Sequence, residues 1–163
     1  MWYLVPRPTT RTITGTGWVF RNKLDESGDI KIKKSRLVVQ GNSQEEGIYY
    51  DKIFSLIARM EAIRFLIAFA YFMGFKIFYM DVKSVFLKTD LKEEVYVKHP
   101  PRFKNANMPN HVFILNKSLY GLKQAPRDWY EKWSKFLLKN GFKRGKIDNT
   151  LFFMKRDKKL LII

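Results

Sequence analysis

Met80-Asp81-Val82-Lys83-Ser84-Val85-Phe86-Leu87 places one carboxylate at the end of an apolar run, then a turn, then an aromatic ring five positions on. The run before it, Phe75, Ile77, Phe78 and Met80, is rich in β-formers and predicts a strand over 75–81. On its chemistry alone Asp81 reads as a strand-end carboxylate that caps a turn. Phe86 reads as a core ring as readily as a ring that faces a ligand. What surrounds this stretch decides between those readings.

Upstream, residues 17–23 and 30–40 read as two strands joined by Asp25-Glu26-Ser27-Gly28-Asp29, a polar turn with a glycine, hence a hairpin. Its second arm alternates apolar and basic from Ile30 to Lys33, so one face is expected to carry the cations while the other packs inward. Residues 41–55 are polar and irregular. Arg59 to Met73 predicts a mostly buried helix, with Ile63, Leu66, Ile67, Phe69 and Ala70 at helical spacing and Gly74 as its stop.

Downstream, short strands are expected near 94–98 and 112–115, flanking the loop Pro100-Pro101-Arg102-Phe103. A second helix starts at Pro126 and ends at Gly141, with Trp129, Trp133, Phe136 and Leu137 on one face. Leu151–Met154 and Leu160–Ile163 read as a hairpin whose second arm is cut short. Asp148 reads as a turn-former, and His99 and His111 lack the spacing of a metal or acid–base pair. Helices and hairpins mixed in this way predict an α+β fold.

Composition narrows the function classes. The 163 residues hold 46% apolar and 16% aromatic side chains, enough to bury roughly 70% of the unfolded surface and too many for disorder. Thirty-one Lys and Arg against 15 Asp and Glu give +16, a surplus that suits a polyanionic partner, nucleic acid first and an anionic membrane surface second. No apolar stretch is long enough for a transmembrane helix. With no cysteine there is no disulfide and no thiolate metal site. An intracellular setting, cytoplasmic or nuclear, is expected rather than secretion. The first 24 residues carry Arg7, Arg11, Arg21 and Lys23 and no acid, a weak likeness to a transit peptide, but Trp18-Val19-Phe20 reads as a folded strand entry.

Seven sequence blocks, taken in order, resemble the reverse transcriptase domain of Ty1/copia-type retrotransposons over essentially the whole chain. They are Trp2-Tyr3-Leu4-Val5-Pro6-Arg7-Pro8, Gly17-Trp18-Val19-Phe20-Arg21-Asn22-Lys23, Arg36-Leu37-Val38 with Gln40-Gly41, Ser43-Gln44-Glu45-Glu46-Gly47-Ile48, Met80-Asp81-Val82-Lys83-Ser84, Glu94-Val95-Tyr96-Val97 and Leu119-Tyr120-Gly121-Leu122-Lys123-Gln124-Ala125-Pro126-Arg127. The resemblance implies the fingers and part of the palm of a right-hand polymerase, an antiparallel sheet packed on helices. Residues 1–74 would be mainly fingers, and 75–163 mixed palm and fingers, in one domain incomplete at its C-terminus.

It also implies roles. Asp81 takes the first of three metal-binding aspartate positions, and the other two belong to a Tyr-x-Asp-Asp turn. Phe86 takes the place of the aromatic gate that crowds a ribose 2′-hydroxyl, with Val82 beside the nucleotide. Lys34 and Arg36 fall on the strand expected to grip the triphosphate, and Tyr120 and Gly121 open the loop that lines the nucleotide and template pocket. The implied cofactor is Mg²⁺, and the implied partners are an RNA or DNA template-primer and a dNTP, with no membrane.

The chain also departs from that family's pattern. Tyr49, Lys52, Leu56, Val85, Arg102 and Asp128 stand where it usually has Asp, Glu, Pro, Ala, Gly and Ala. Asn42 replaces an aromatic residue and Lys88-Thr89 an Asn-Gly turn, so backbone strain is expected at 102 and at 88–89. The sequence reads as stopping on the strand that would lead into Tyr-x-Asp-Asp. One carboxylate leaves Mg²⁺ mostly solvated, so stable metal binding and polymerase activity by this polypeptide alone are not expected. The parent would be an RNA-directed DNA polymerase. The other readings are a non-catalytic basic remnant that binds nucleic acid, and a decayed product that does not fold stably.

Overall fold

Tertiary contacts divide the chain, a computed structural model describing residues 1–44, 47, 50, 58–157 and 159–163, into two units of interleaved segments. The first takes Met1–Ile53 and Ser84–Trp129, and the second Phe54–Lys83 and Tyr130–Ile163. Nine strands and two α-helices among the described residues make the fold α+β. Expectations at Tyr49, Lys52 and Leu56, and at half of the Ser43–Ile48 block, lie outside the described residues.

In the first unit β1 (Trp2–Pro6), β2 (Ile13–Thr14), β5 (Asp90–Val97) and β6 (His111–Lys117) form a sheet in the order β1-β6-β5-β2. Its pairs are antiparallel except β2 with β5, which runs parallel, so the sheet is not the purely antiparallel one expected. Inward-facing Val95, Val97 and Leu115 meet Val39, Leu119, Leu122 and Ala125 in one buried cluster. Burying such side chains contributes about 1.5–3 kcal/mol each. β1 has no counterpart among the expected strands; Pro6 ends it at the sheet edge, where a missing N–H costs no ladder bond.

β3 (Thr16–Leu24) and β4 (Ile30–Val39) form the expected hairpin as a separate two-stranded sheet. Asp25 Oδ1 accepts from the backbone N–H of Ser27 and Asp29, and Gly28 adopts φ +86. The inward-packing face does not form: Val19, Phe20, Leu24, Ile30 and Ile32 are all exposed. The register explains why the cations are not segregated. Arg21, Lys34 and Arg36 share one face with Val19 and Ile32, while Lys33 shares the other with Trp18 and Phe20.

In the second unit α1 (Met60–Phe72) ends as its sequence predicts. Gly74 at φ +66 lets its own N–H reach Tyr71 O and that of Phe75 reach Ala70 O, the two bonds of a Schellman stop. Its expected burial fails. Only Ala70 is buried, and Phe65, Ile67, Tyr71 and Phe72 are exposed, because none of the described residues covers that apolar surface. The strand expected over 75–81 is likewise missing. An apolar run becomes a strand only against a ladder partner, and among the described residues none pairs with it. Ile77, Phe78, Tyr79 and Met80 stand exposed.

α2 (Ala125–Lys139) begins in the first unit and ends in the second, closed by a similar stop at Gly141. Its Leu137 packs with Phe142 and Phe152 beside Tyr130, Trp133 and Met154. Phe136, expected on the inner face, is exposed and stacks on Trp133. β7 (Lys143–Arg144), β8 (Phe152–Arg156) and β9 (Lys159–Ile162) form an antiparallel sheet, so the C-terminal hairpin is present with a short third strand beside it. Leu137→Ala should cost about 2–5 kcal/mol, read as a lower denaturation midpoint with the same slope.

Asp148 forms the expected turn, its Oδ1 accepting from Thr150 N–H and Oγ1. Those bonds hold its carboxyl below the ordinary value of 3.8. Its contribution is therefore present above that value and lost as the pH falls through the lowered one. Asp148→Asn should show a smaller drop in melting temperature between pH 5 and pH 3 than the unaltered chain.

Candidate nucleotide site

Val39, the last residue of β4, donates its N–H to Tyr120 O at 2.7 Å. That bond draws two chain segments into backbone contact. Gly121 sits at φ +91, and a Cβ there would lie 2.0 Å from Val39 O; a Cβ on Gly41 would lie 2.0 Å from Gly121 O. Only glycine fits at both positions, which gives the Gln40-Gly41 and Tyr120-Gly121 pairs a steric reason.

The clasp assembles the side chains around it. Arg36 lies over the Tyr120 ring, its guanidinium carbon 5.6 Å from the centroid. Phe86, in the short 3₁₀ turn Phe86–Lys88, meets Tyr120 edge-on at 5.1 Å and 74°. A guanidinium held over a ring by a cation–π contact keeps N–H donors for an anion. All three residues are half-buried, so the group is anchored and still reachable. Lys34 lies two residues toward the hairpin tip on the face of Arg36 and is exposed.

Behind this group lies a polar network that the sequence reading did not single out. Gln44 Nε2 donates to Gln124 Oε1 at 3.2 Å, and Gln44 Oε1 accepts from Lys123 N–H at 3.1 Å. Lys123 Nζ donates to Gln44 O and to the Tyr50 hydroxyl, and sits 5.3 Å from the Tyr50 ring centre. Gln124 Nε2 is buried and has no hydrogen-bond partner among the described residues. The available signal was two glutamines beside the two clasping glycines, but no spacing rule connects residues 80 apart.

Two candidates remain. Asp81 and Val82 belong to the second unit, in the irregular segment after Gly74, and both are exposed. Among the described residues no three His, Cys, Asp or Glu side chains come together as a metal site. His99 Nε2 bonds His111 O, which is a structural role.

Of the expected strain, Arg102 does adopt φ +70, whereas Thr89 has an ordinary φ of −99 and the 3₁₀ turn takes up the change at Lys88. Asp128, where an alanine was expected, is buried in the first turn of α2, with Ser118 Oγ 3.5 Å from its Oδ2. No described helix is long and apolar enough to cross a membrane.

A family model described as reverse transcriptase (RNA-dependent DNA polymerase) matches residues 1–163. The chain belongs to that reverse transcriptase family. It is 38% identical over 161 residues to a retrovirus-related Pol polyprotein from transposon RE1 of Arabidopsis thaliana, covering 98% of this chain and 11% of the relative. To that of transposon TNT 1-94 of Nicotiana tabacum it is 39% identical over 162 residues, 98% of this chain and 12% of the relative. The Ty1-BL Gag-Pol polyprotein of Saccharomyces cerevisiae is 30% identical over 129 residues, 79% of this chain and 7% of that protein. These relatives are Ty1/copia-type Pol polyproteins, and the chain spans about a tenth of their length. No solved structure matches.

Reverse transcriptases use divalent metal ions. Among the described residues no two further acids join the exposed Asp81, so they do not fit a two-ion centre. Gly121→Ala should cost about 2 kcal/mol or more, since both the backbone angle and the contact with Val39 O oppose a methyl group. Urea denaturation of the two proteins would measure it.

Proposed function

We propose that this chain is the nucleotide-gripping part, fingers with a portion of the palm, of an RNA-directed DNA polymerase from a retrotransposon Pol polyprotein. Its substrates in the whole protein would be a dNTP and a template-primer. The observation that carries this reading is the meeting of Arg36, Tyr120 and Phe86 on the Val39–Gly121 clasp. Segments far apart in the chain supply these residues, and they meet as a cation over one ring with a second ring edge-on to it.

In this reading Arg36, with Lys34 beyond it, holds the triphosphate by charge-assisted hydrogen bonds, each worth about 1.5–3 kcal/mol. Tyr120 fixes the guanidinium plane, and the Phe86 ring crowds a ribose 2′-hydroxyl. On the family pattern Asp81 supplies one carboxylate, with Val82 next to it in the sequence. The family's Mg²⁺ would align the primer hydroxyl and the α-phosphate. These 163 residues contain no Asp-Asp pair, so on this reading they bind nucleotide without joining it to a primer.

The test is fluorescence titration with a labelled dNTP. Arg36→Ala should weaken binding at least tenfold, and Phe86→Ala should narrow the preference for dNTP over rNTP. Equal binding by wild type and Arg36→Ala sinks the assignment. Mg²⁺-dependent primer extension by this chain alone, abolished by Asp81→Asn, would overturn its inactivity.

The charge of +16 favours a second reading, a non-catalytic module that binds nucleic acid through phosphate contacts. Such binding weakens roughly 10³-fold or more between 50 and 200 mM salt when several phosphates are touched, and a salt-independent affinity excludes it.

A further inference from the structure

The β3–β4 hairpin has a second face, and it carries aromatic rings instead of the Arg36 group. Trp18 and Phe20 stack along β3 at 6.3 Å and 22°, and Phe103 tilts onto Trp18 at 5.8 Å from the loop after β5. The cluster is held in place. Trp18 Nε1–H donates to Pro101 O at 3.2 Å, and Phe103 N–H to Pro100 O at 2.9 Å. Its outer rings are nonetheless open, Phe20 75% exposed and Phe103 68%. Fixed, adjoining and uncovered rings of this size mark a binding surface more often than an idle one.

Charge says what kind. Across the ladder Lys33 opposes Asn22 on the same face as Trp18 and Phe20. Residues 98–110, which bring Phe103, contain Lys98, Arg102 and Lys104 and no acid. Arg102 occupies its place at φ +70, a conformation that L side chains seldom adopt. Rings interleaved with cations and free of carboxylates suit a ligand with flat faces and a negative backbone.

We propose that Trp18, Phe20 and Phe103 form a stacking platform for the unpaired bases of a single-stranded nucleic acid, on the hairpin face opposite Arg36. This rests on the reverse transcriptase reading for the class of polyanion. It assigns a separate surface, so one hairpin separates two tasks: phosphates of a nucleotide on the Arg36 face, stacked bases on the Trp18 face. Recognition is by π-faces and is tolerant of sequence.

The experiment is fluorescence anisotropy of the full chain with two labelled strands of about a dozen residues, an oligothymidylate and an abasic strand of equal charge. Phe20→Ala and Phe103→Ala should each weaken the base-bearing strand roughly tenfold, the scale of one lost stacking contact. They should leave the abasic strand unchanged, and Phe20→Tyr should restore binding. Both rings are exposed, so near-ultraviolet circular dichroism should show the fold retained.

Equal affinity of wild type for the two strands overturns the proposal, as does wild-type binding by both alanine variants. Conversion of a sedimenting dimer to monomer by Phe20→Ala, with strand affinity unchanged, overturns it in favour of a second copy on this face. The labelled-dNTP titration separates the two claims. Loss of dNTP binding in Arg36→Ala but not Phe20→Ala upholds the nucleotide reading whatever the strands show. The reverse failure leaves the platform standing alone.

Discussion

The backbone contact between Val39 and Tyr120-Gly121 is the constraint on which the rest of the first unit depends. Two segments separated by some eighty positions approach so closely that Gly41 on one and Gly121 on the other have no room for a Cβ. A hydrogen bond of 2.7 Å fixes their register, and Val39, Leu119 and Leu122 close the buried cluster beneath it. Everything above the crossing follows. β4 leaves it carrying Arg36, and Tyr120 leaves it in position to receive both that guanidinium and the edge of Phe86. A site built on a crossing of main chains is held more tightly than one built on side-chain packing alone.

Local signals in the sequence were legible in proportion to how local their causes are. The β3–β4 hairpin, both helices and their glycine stops depend on turn chemistry and periodicity within a few residues, and the structure has them within a residue or so. The run at 75–81 was misread for the opposite reason. Its composition is that of a strand, but a strand is a relation between two segments, and no partner pairs with it among the described residues. Helix α1 shows the same limit. Its pattern specified a helix and an apolar surface, but what covers such a surface lies outside the pattern.

The candidate site divides along the same line. Arg36, Tyr120, Gly121 and Phe86 were named separately through family resemblance, and their meeting in space is a property of the crossing. The Gln44–Lys123–Gln124–Tyr50 network was missed because amides pair through long-range geometry that leaves no periodic trace. The cations of β4 were legible as cations, but which face each would take depended on the ladder with β3.

The interleaving of the two units bears on how the chain folds as it leaves the ribosome. The first unit needs both Met1–Ile53 and Ser84–Trp129, so its early half must wait while the later half is made. At about 5–20 residues per second that interval lasts on the order of 4–15 s, long compared with the microseconds in which a hairpin forms. Through that time the β3–β4 ribbon has its own Asp25–Gly28 turn but no Tyr120 for Val39 to meet. A turn made entirely within this ribbon lets a marginal hairpin re-form in microseconds, so one half of the clasp is at hand when the other half is made.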